Sequence, residues 1–163
     1  MEASVTETVL SIPAQLASRV LAEGYGPGAW HGADMKAALD GVSADAAFRR
    51  PAKGRHNIAE IAVHHAFYQH SIRGRLLGTP VEPFVLAGED WFTLEDRKTL
   101  SWSKIVALVA DQQQKLEAVV ADIESGRVTS PLSDRERFDL ILGITCHAVY
   151  HAGQIQLIKA MKG

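Results

Sequence analysis

Between residues 102 and 123, apolar side chains recur at alternating intervals of three and four residues. This spacing is typical of a helix that packs along its whole length against other helices. The series contains one polar residue, and its members are Trp102, Ile105, Val109, Gln112, Leu116, Val119 and Ile123. No run of alternating polar and apolar residues with the length of a strand competes with such helical patterns. The sequence therefore predicts an all-α fold.

Three other segments are predicted to form long helices. They are residues 11–23, residues 56–77 and about residues 137–161. Glycine and proline residues follow the first two and mark their ends. Between these two, the segment GADMKAALDG predicts a short helix that ends at Gly41, and Ser43 can cap one more turn. The segment TPVEPFVLAGEDW predicts an extended loop, and four long helices indicate a helical bundle.

Length and composition limit the possible partners of the chain. Its 163 residues are expected to form a single domain, 1–163, because one core can bury most of a chain of this length. Lys and Arg number 17 against 19 Asp and Glu, without a basic cluster, which argues against a nucleic-acid partner. No apolar run approaches the roughly 20 residues that cross a bilayer, so no membrane partner is expected. A single cysteine and a start without a leader pattern favour the cytoplasm.

Two histidines, His147 and His151, lie one turn apart on the last predicted helix. At about 100° per residue, both fall within the apolar stripe of that helix. The stripe consists of Leu140, Ile144, Ile155 and Ile158. A buried pair of imidazoles needs partners for its ring nitrogens, and one bound cation can satisfy both rings. The alternative is a pair of core histidines that bond to carbonyl or carboxylate groups.

A third metal ligand is expected from His64 or His65, because transition-metal sites usually take three or four protein groups. On a helical wheel, four apolar residues of this helix centre on His65, which favours it slightly as the inward residue. They are Ile58, Ile61, Ile72 and Leu76. The helix is apolar on most sides, however, so that either histidine can face a partner helix.

The segments HNIAEIAVHH and HAVYHAGQIQLIKAMK together resemble the two signatures of the DinB/YfiT-like superfamily of bacterial four-helix bundles. The resemblance implies four long helices that run up-down-down-up, with a short extra helix between the first and the second. It also implies a metal site with one histidine from the second long helix and two from an H-x-x-x-H-x-G-Q motif in the last. In this sequence those residues are His64, His147 and His151. The superfamily position that matches His65 is generally apolar.

Three neutral imidazoles leave a divalent ion with an open coordination position, where a water or a thiol can bind. Zinc or nickel is the expected metal, with iron, manganese or copper as alternatives. The resemblance implies a metal-dependent enzyme with a small-molecule substrate, either a thiol-dependent S-transferase or a hydrolase, and a homodimer. The thiols that relatives use include mycothiol, bacillithiol and glutathione. The alternative function is that of a non-catalytic metal-binding stress or regulatory protein.

Helical phase places three polar residues beside the expected ligands. Gln154 shares the face of the two histidines on the last helix and can orient a ligand or a bound water. Glu60 and Tyr68 flank His64 by one turn each and can accept and donate a proton. The simpler interpretations, which we favour, are a solvated charge near the helix start for Glu60 and a packed ring for Tyr68. Cys146 points away from the ligand face and is expected to be a buried structural thiol.

Overall fold

The computed structural model describes residues 15–161, and every regular element within them is an α-helix. The helices are α1 (Leu16–Tyr25), α2 (Met35–Leu39), α3 (Ala44–Phe48), α4 (Ile58–Leu77), α5 (Trp102–Glu124) and α6 (Asp134–Ala160). This confirms the all-α prediction. None of the described helices is both long enough and apolar enough to cross a lipid bilayer. Residues 1–14 lie outside the described residues. They include residues 11–14, the predicted beginning of the first helix, and residues 1–10, on which the prediction of no leader rests.

Capping interactions set the first residues of α4 and α6. The side chain of Asn57 accepts a hydrogen bond from the backbone nitrogen of Glu60, and the Glu60 carboxylate accepts one from the backbone nitrogen of Asn57. Ser133 and Glu136 form the same reciprocal pair before α6. Each pair satisfies backbone donors that have no partner within the helix. As a result, α4 begins two residues later than predicted, and α6 begins three residues earlier.

The short helices and the long loop lie where the sequence predicts them. Asp34 caps α2, and Ser43 caps α3 by accepting a hydrogen bond from the backbone nitrogen of Ala46 at 3.2 Å. Gly78 ends α4 in the left-handed conformation. Residues 78–101 then form no helix or strand before α5 begins. This connection returns from the end of α4 to its first turns, where the backbone nitrogen of Leu94 donates to Glu60 at 2.9 Å.

The four long helices share a core, in which α4 packs against α5 and α6, and α1 packs against the same two helices. One apolar cluster includes residues Ile58, Ile61, Ala62, Val63, Ala66, Trp102, Ile105, Val109, Ala148, Ala152 and Ile155. A second cluster contains Leu21, Ile72, Leu76, Leu116, Val120, Ile141 and Ile144. The predicted stripe of α5 faces these clusters, although Val119 and Ile123 are only half-buried and Val120 takes the core position.

A pair of glycine substitutions tests how tightly the end of α4 packs. Gly78 has a φ of 67° and Gly126, after α5, a φ of 73°, so a side chain at either position is strained. A Cβ on Gly78 would collide with the ring of Pro131, whereas a Cβ on Gly126 would meet nothing within 4 Å. We expect Gly126→Ala to lower the free energy of unfolding by about 1 kcal/mol and Gly78→Ala by about 2–4 kcal/mol. Urea denaturation measures both, and equal losses would contradict the role of the Pro131 contact.

Candidate metal centre

Three histidine side chains converge where α4 faces α6. His64 comes from the second turn of α4, and His147 and His151 come from consecutive turns of α6. One ring nitrogen of each lies within 4.8 Å of those of the other two. Nε2 of His147 is 3.1 Å from Nε2 of His64 and 3.1 Å from Nε2 of His151. The structure therefore brings together the three residues that the resemblance implies as metal ligands.

Two of the three rings form a hydrogen bond through Nδ1, the nitrogen that does not face the other two histidines. Nδ1 of His64 donates to the backbone carbonyl of Asp90 at 2.9 Å, and Nδ1 of His151 donates to Oε1 of Gln154 at 2.7 Å. Because both oxygens can only accept, each Nδ1 carries the hydrogen of its neutral ring. The Nε2 atoms of His64 and His151 then present lone pairs to the centre. Metal-binding histidines are commonly oriented in this way.

Burial keeps these imidazoles uncharged. It lowers the pKa of His64, and it lowers the pKa of His147 to about 3 and that of His151 to about 4. Repulsion between the neighbouring rings adds a smaller part to the last two shifts. At neutral pH all three rings are therefore in the neutral form that binds a metal ion.

The donor set fits a transition-metal ion. Zinc, nickel, iron and copper all accept imidazole nitrogens as ligands. A tetrahedral ion with metal–nitrogen bonds of about 2.0–2.1 Å holds its ligand nitrogens about 3.3 Å apart. The two Nε2–Nε2 distances at His147 are close to that value, at 3.1 Å each. Hydrogen bonds alone match the three nitrogens poorly, because two of them have no hydrogen to donate.

His65, which the helical wheel favours, lies outside the group of converging nitrogens. Its side chain has no exposed surface, but the side chain of His64 is also buried, so burial does not distinguish the two. Nδ1 of His65, however, lies 3.1 Å from Nδ1 of His147, on the opposite side of that ring from the convergence point. The two neighbouring histidines of α4 therefore approach the two different nitrogens of His147.

A tryptophan from the long loop covers one side of the centre. The indole of Trp91 lies nearly parallel to the imidazole of His64 and to that of His56, with ring centroids 3.8 Å and 3.6 Å apart. The preceding residue, Asp90, has a φ of 64°, a conformation that residues other than glycine seldom adopt. It directs its carbonyl to His64. The sequence patterns do not predict this contact, because a loop has no periodicity that reveals its partners.

Glu60 is a buried structural carboxylate. It is 1% exposed, so the expectation of a solvated charge is wrong. Its oxygens accept hydrogen bonds from the Arg50 guanidinium at 3.0 and 2.6 Å, from the backbone nitrogen of Leu94 at 2.9 Å and from His56 at 3.0 Å. Burial alone would raise the pKa of Glu60, but these hydrogen bonds outweigh it and hold the pKa below its ordinary value. Glu60 therefore remains ionised and fixes the start of α4 to the loop.

Tyr68 and Gln154 both support the rings of the centre. The Tyr68 hydroxyl donates to Oδ1 of Asp90 at 3.1 Å, and its half-buried ring meets His64 edge-on with centroids 5.0 Å apart. That hydrogen bond raises the pKa of Tyr68, which stays protonated at neutral pH. Gln154 holds His151 through Oε1, and its amide nitrogen donates to the Tyr150 hydroxyl at 3.1 Å. Tyr68 thus contacts the candidate ligand His64 directly, and Gln154 contacts the candidate ligand His151.

Cys146 is exposed, and the expectation of a buried thiol is therefore wrong. One residue before His147, its side chain lies about 100° away from the ligand face of α6. This angle agrees with the prediction, but it places the Cys146 side chain on the exposed surface of α6 and not against a neighbouring helix. The one cysteine of the chain is thus not part of the histidine cluster.

A cavity of about 360 Å³ is lined in part by Trp91, which stacks on His64, and by Gln154, which bonds to His151, but not by the three converging histidines themselves. Its other lining residues are Pro51, Ala52, Arg55, His56, Ile61, Leu157, Ile158 and Met161. Most of these side chains are apolar, and Arg55 provides a positive charge. The lining is thus mainly apolar, with one cationic side chain.

Comparison with known proteins identifies one related group. The family model described as the DinB superfamily matches residues 29–155, from before α2 to near the end of α6. This range contains all three converging histidines. Searches of the curated proteins and of the solved structures give no match to this chain.

The stability of the metal-free protein is expected to fall as the pH decreases from 6.5 to 4. An unfolded chain protonates its histidines near pH 6.5, whereas His147 and His151 in the folded protein have pKa values of about 3 and about 4. In this interval the unfolded chain binds more protons, so acid favours unfolding. We expect these two histidines together to lower the free energy of unfolding by about 4 kcal/mol between pH 7 and pH 5, about 2 kcal/mol each.

Urea denaturation of chelator-treated protein at several pH values measures this dependence. The double variant His147→Gln/His151→Gln is the control. Its free energy of unfolding should change less over the same interval, although not by zero, because burial also lowers the pKa values of His64 and His65. An equal slope in both proteins would show that other groups cause the acid sensitivity.

Proposed function

This chain belongs to the DinB superfamily, and from this membership and its clustered imidazoles we propose that it is a metal-dependent enzyme. The proposed ligands of a divalent transition-metal ion are His64, His147 and His151. The observation that carries the proposal is the convergence of three neutral ring nitrogens, two of which have their lone pairs fixed toward the same point. We propose zinc or nickel as the ion, since both accept three imidazoles.

When bound, such an ion supplies Lewis-acid activation of a water or a thiol. The surrounding side chains have separate proposed roles. Asp90 and Gln154 orient His64 and His151, and Trp91 shields one side of the centre from water. Tyr68, whose hydroxyl is protonated at neutral pH, is the proposed proton donor to a leaving group.

The proposed substrate is a small molecule with an apolar portion, which the cavity of about 360 Å³ would hold beside Trp91 and Gln154. Arg55 offers a charge for an anionic group of the same molecule. The chain has no second cysteine, and Cys146 lies on the outer surface of α6. A sulfur nucleophile would therefore come from a low-molecular-weight thiol of the cytoplasm. This favours a thiol-dependent S-transferase as the activity, with a hydrolase as the other candidate.

We also propose that the four long helices run up-down-down-up. The two core clusters support this direction, because the first halves of α4 and α5 contribute to one cluster and their second halves to the other. In α6 the order is reversed, with Ile144 in the second cluster and Ile155 in the first. In α1, Leu21 belongs to the second cluster and Tyr25 packs against the first. Helices α1 and α6 would thus oppose α4 and α5.

Metal analysis of tag-free protein tests the proposed site. We expect one ion per chain in the unaltered protein, and we expect His64→Ala, His147→Ala and His151→Ala each to weaken zinc binding by more than about 100-fold, because each removes one of three ligands. Competition with a chromophoric chelator measures the affinity. His70→Ala, which alters another histidine of α4 outside the cluster, is the matched control and should bind zinc as the unaltered protein does. A folded protein that holds no stoichiometric ion would contradict the proposal.

Cobalt substitution tests the proposed chemistry. A thiol that binds at the open position of a cobalt-loaded centre should produce a sulfur-to-cobalt charge-transfer band in the near ultraviolet. We expect this band with at least one of glutathione, bacillithiol and mycothiol, and we expect it to be lost in His147→Ala. Hydrolysis of an activated ester without such a band would favour the hydrolase. If the metal-loaded protein shows neither the band nor hydrolysis, it is a metal-binding protein without turnover.

A further inference from the structure

The buried imidazole of His65 has no evident purpose in a simple three-histidine centre. Its side chain is completely buried, and its Nδ1 lies 3.1 Å from Nδ1 of His147. Among the described residues, its other nitrogen, Nε2, has no hydrogen-bond partner. Burying an imidazole with an unsatisfied nitrogen costs free energy, whereas an apolar side chain of similar size at the same place would cost none. The contact with His147 is therefore the feature that needs explanation.

The hydrogens of the neighbouring rings limit what this contact can be. A neutral imidazole carries one hydrogen, and two facing nitrogens form a hydrogen bond only when one of them carries it. If Nε2 of His147 is to offer a lone pair to a metal ion, the hydrogen of that ring must be on Nδ1. The atom in front of that Nδ1 is Nδ1 of His65, which must then be the acceptor. His65 would consequently carry its own hydrogen on Nε2.

We infer that His65 is a positioning residue for the metal centre: its Nδ1 accepts the hydrogen bond from Nδ1 of His147 and thereby holds Nε2 of His147 toward the ion. This inference rests on the proposed function. It assigns to His147 the partner that Asp90 provides for His64 and that Gln154 provides for His151. Each of the three proposed ligands is then oriented by one acceptor, and none of these acceptors touches the ion.

A second unsatisfied atom is consistent with the assigned hydrogen position. Gln69 lies one turn after His65 on the same face of α4, and its side chain is also fully buried. Its amide nitrogen donates to Gln113, but its Oε1 has no hydrogen-bond partner among the described residues. With a hydrogen on Nε2, His65 becomes a donor one helical turn from a residue that has a free acceptor. With the hydrogen on Nδ1, both free atoms, Nε2 of His65 and Oε1 of Gln69, would be acceptors.

Nitrogen NMR of the unaltered protein tests the hydrogen positions directly. In zinc-loaded protein with ¹⁵N-labelled histidine, two-bond ¹⁵N–¹H correlation should show His147 with its hydrogen on Nδ1 and His65 with its hydrogen on Nε2. A hydrogen on Nδ1 of His65 in the zinc-loaded protein would overturn the inference, because His65 would then donate to His147 instead of accepting from it.

Two substitutions test the effect on affinity. His65→Leu removes the acceptor and should weaken zinc binding by about 10- to 100-fold, the usual effect of losing such a partner. His65→Asn places an amide oxygen near the former Nδ1 and should bind zinc within about 5-fold of the unaltered protein. His70→Leu is the matched control on α4. Thermal unfolding of each metal-free protein shows that it is folded.

The outcomes separate this inference from the proposed function. Zinc binding to the unaltered protein, with unchanged affinity in folded His65→Leu, would overturn the role of His65 and leave the three-ligand site standing. An unaltered protein that binds no zinc would overturn both. If His65→Leu does not fold, the affinity of His65→Asn and the NMR result decide: a loss above about 10-fold in the folded asparagine variant would count against the acceptor role.

Discussion

Four imidazoles packed between α4 and α6, away from bulk water, govern the chemistry of this molecule. Removal from water disfavours the charged form of each ring, and a neutral ring has one nitrogen that donates and one that accepts. The donors of His64 and His151 face oxygens at the edge of the cluster, so their acceptors face inward. The lone pairs that meet at this point have no hydrogen-bond donor of their own. A bound cation can interact with them in place of a donor. The candidate metal centre follows from this imbalance.

The loop between α4 and α5 completes the same arrangement. The backbone nitrogen of Leu94 donates to Glu60, and its carbonyl accepts from the Asn57 side chain at 2.8 Å, so the first turn of α4 anchors the loop. Four residues earlier, Asp90 accepts from His64, and Trp91 then stacks on that ring. A loop without regular structure can hold a ligand in place here because its backbone groups are paired with buried side chains of a rigid helix.

Periodicity predicted the parts of the structure that have one polar and one apolar side. It predicted the packed stripe of α5 and the inward-facing pair His147 and His151. It could not choose between His64 and His65, because α4 is buried on nearly all sides in its first three turns and has no single inward face. The resemblance implied His64, which the converging nitrogens include. Cys146 was misplaced because its residue type was weighed above its angle on the helix.

The adjacent pair on α4 is explained by the shape of the imidazole ring. Consecutive residues of a helix point about 100° apart, whereas the two nitrogens of one imidazole lie on different sides of the ring. Two neighbouring side chains of a helix that faces His147 can therefore approach both of its nitrogens. His64 meets Nε2 and His65 meets Nδ1, each at 3.1 Å. A single histidine on α4 would leave Nδ1 of His147 without this partner. With His65 as the acceptor, the hydrogen of the His147 ring is held on Nδ1, and its Nε2 keeps a lone pair for the ion.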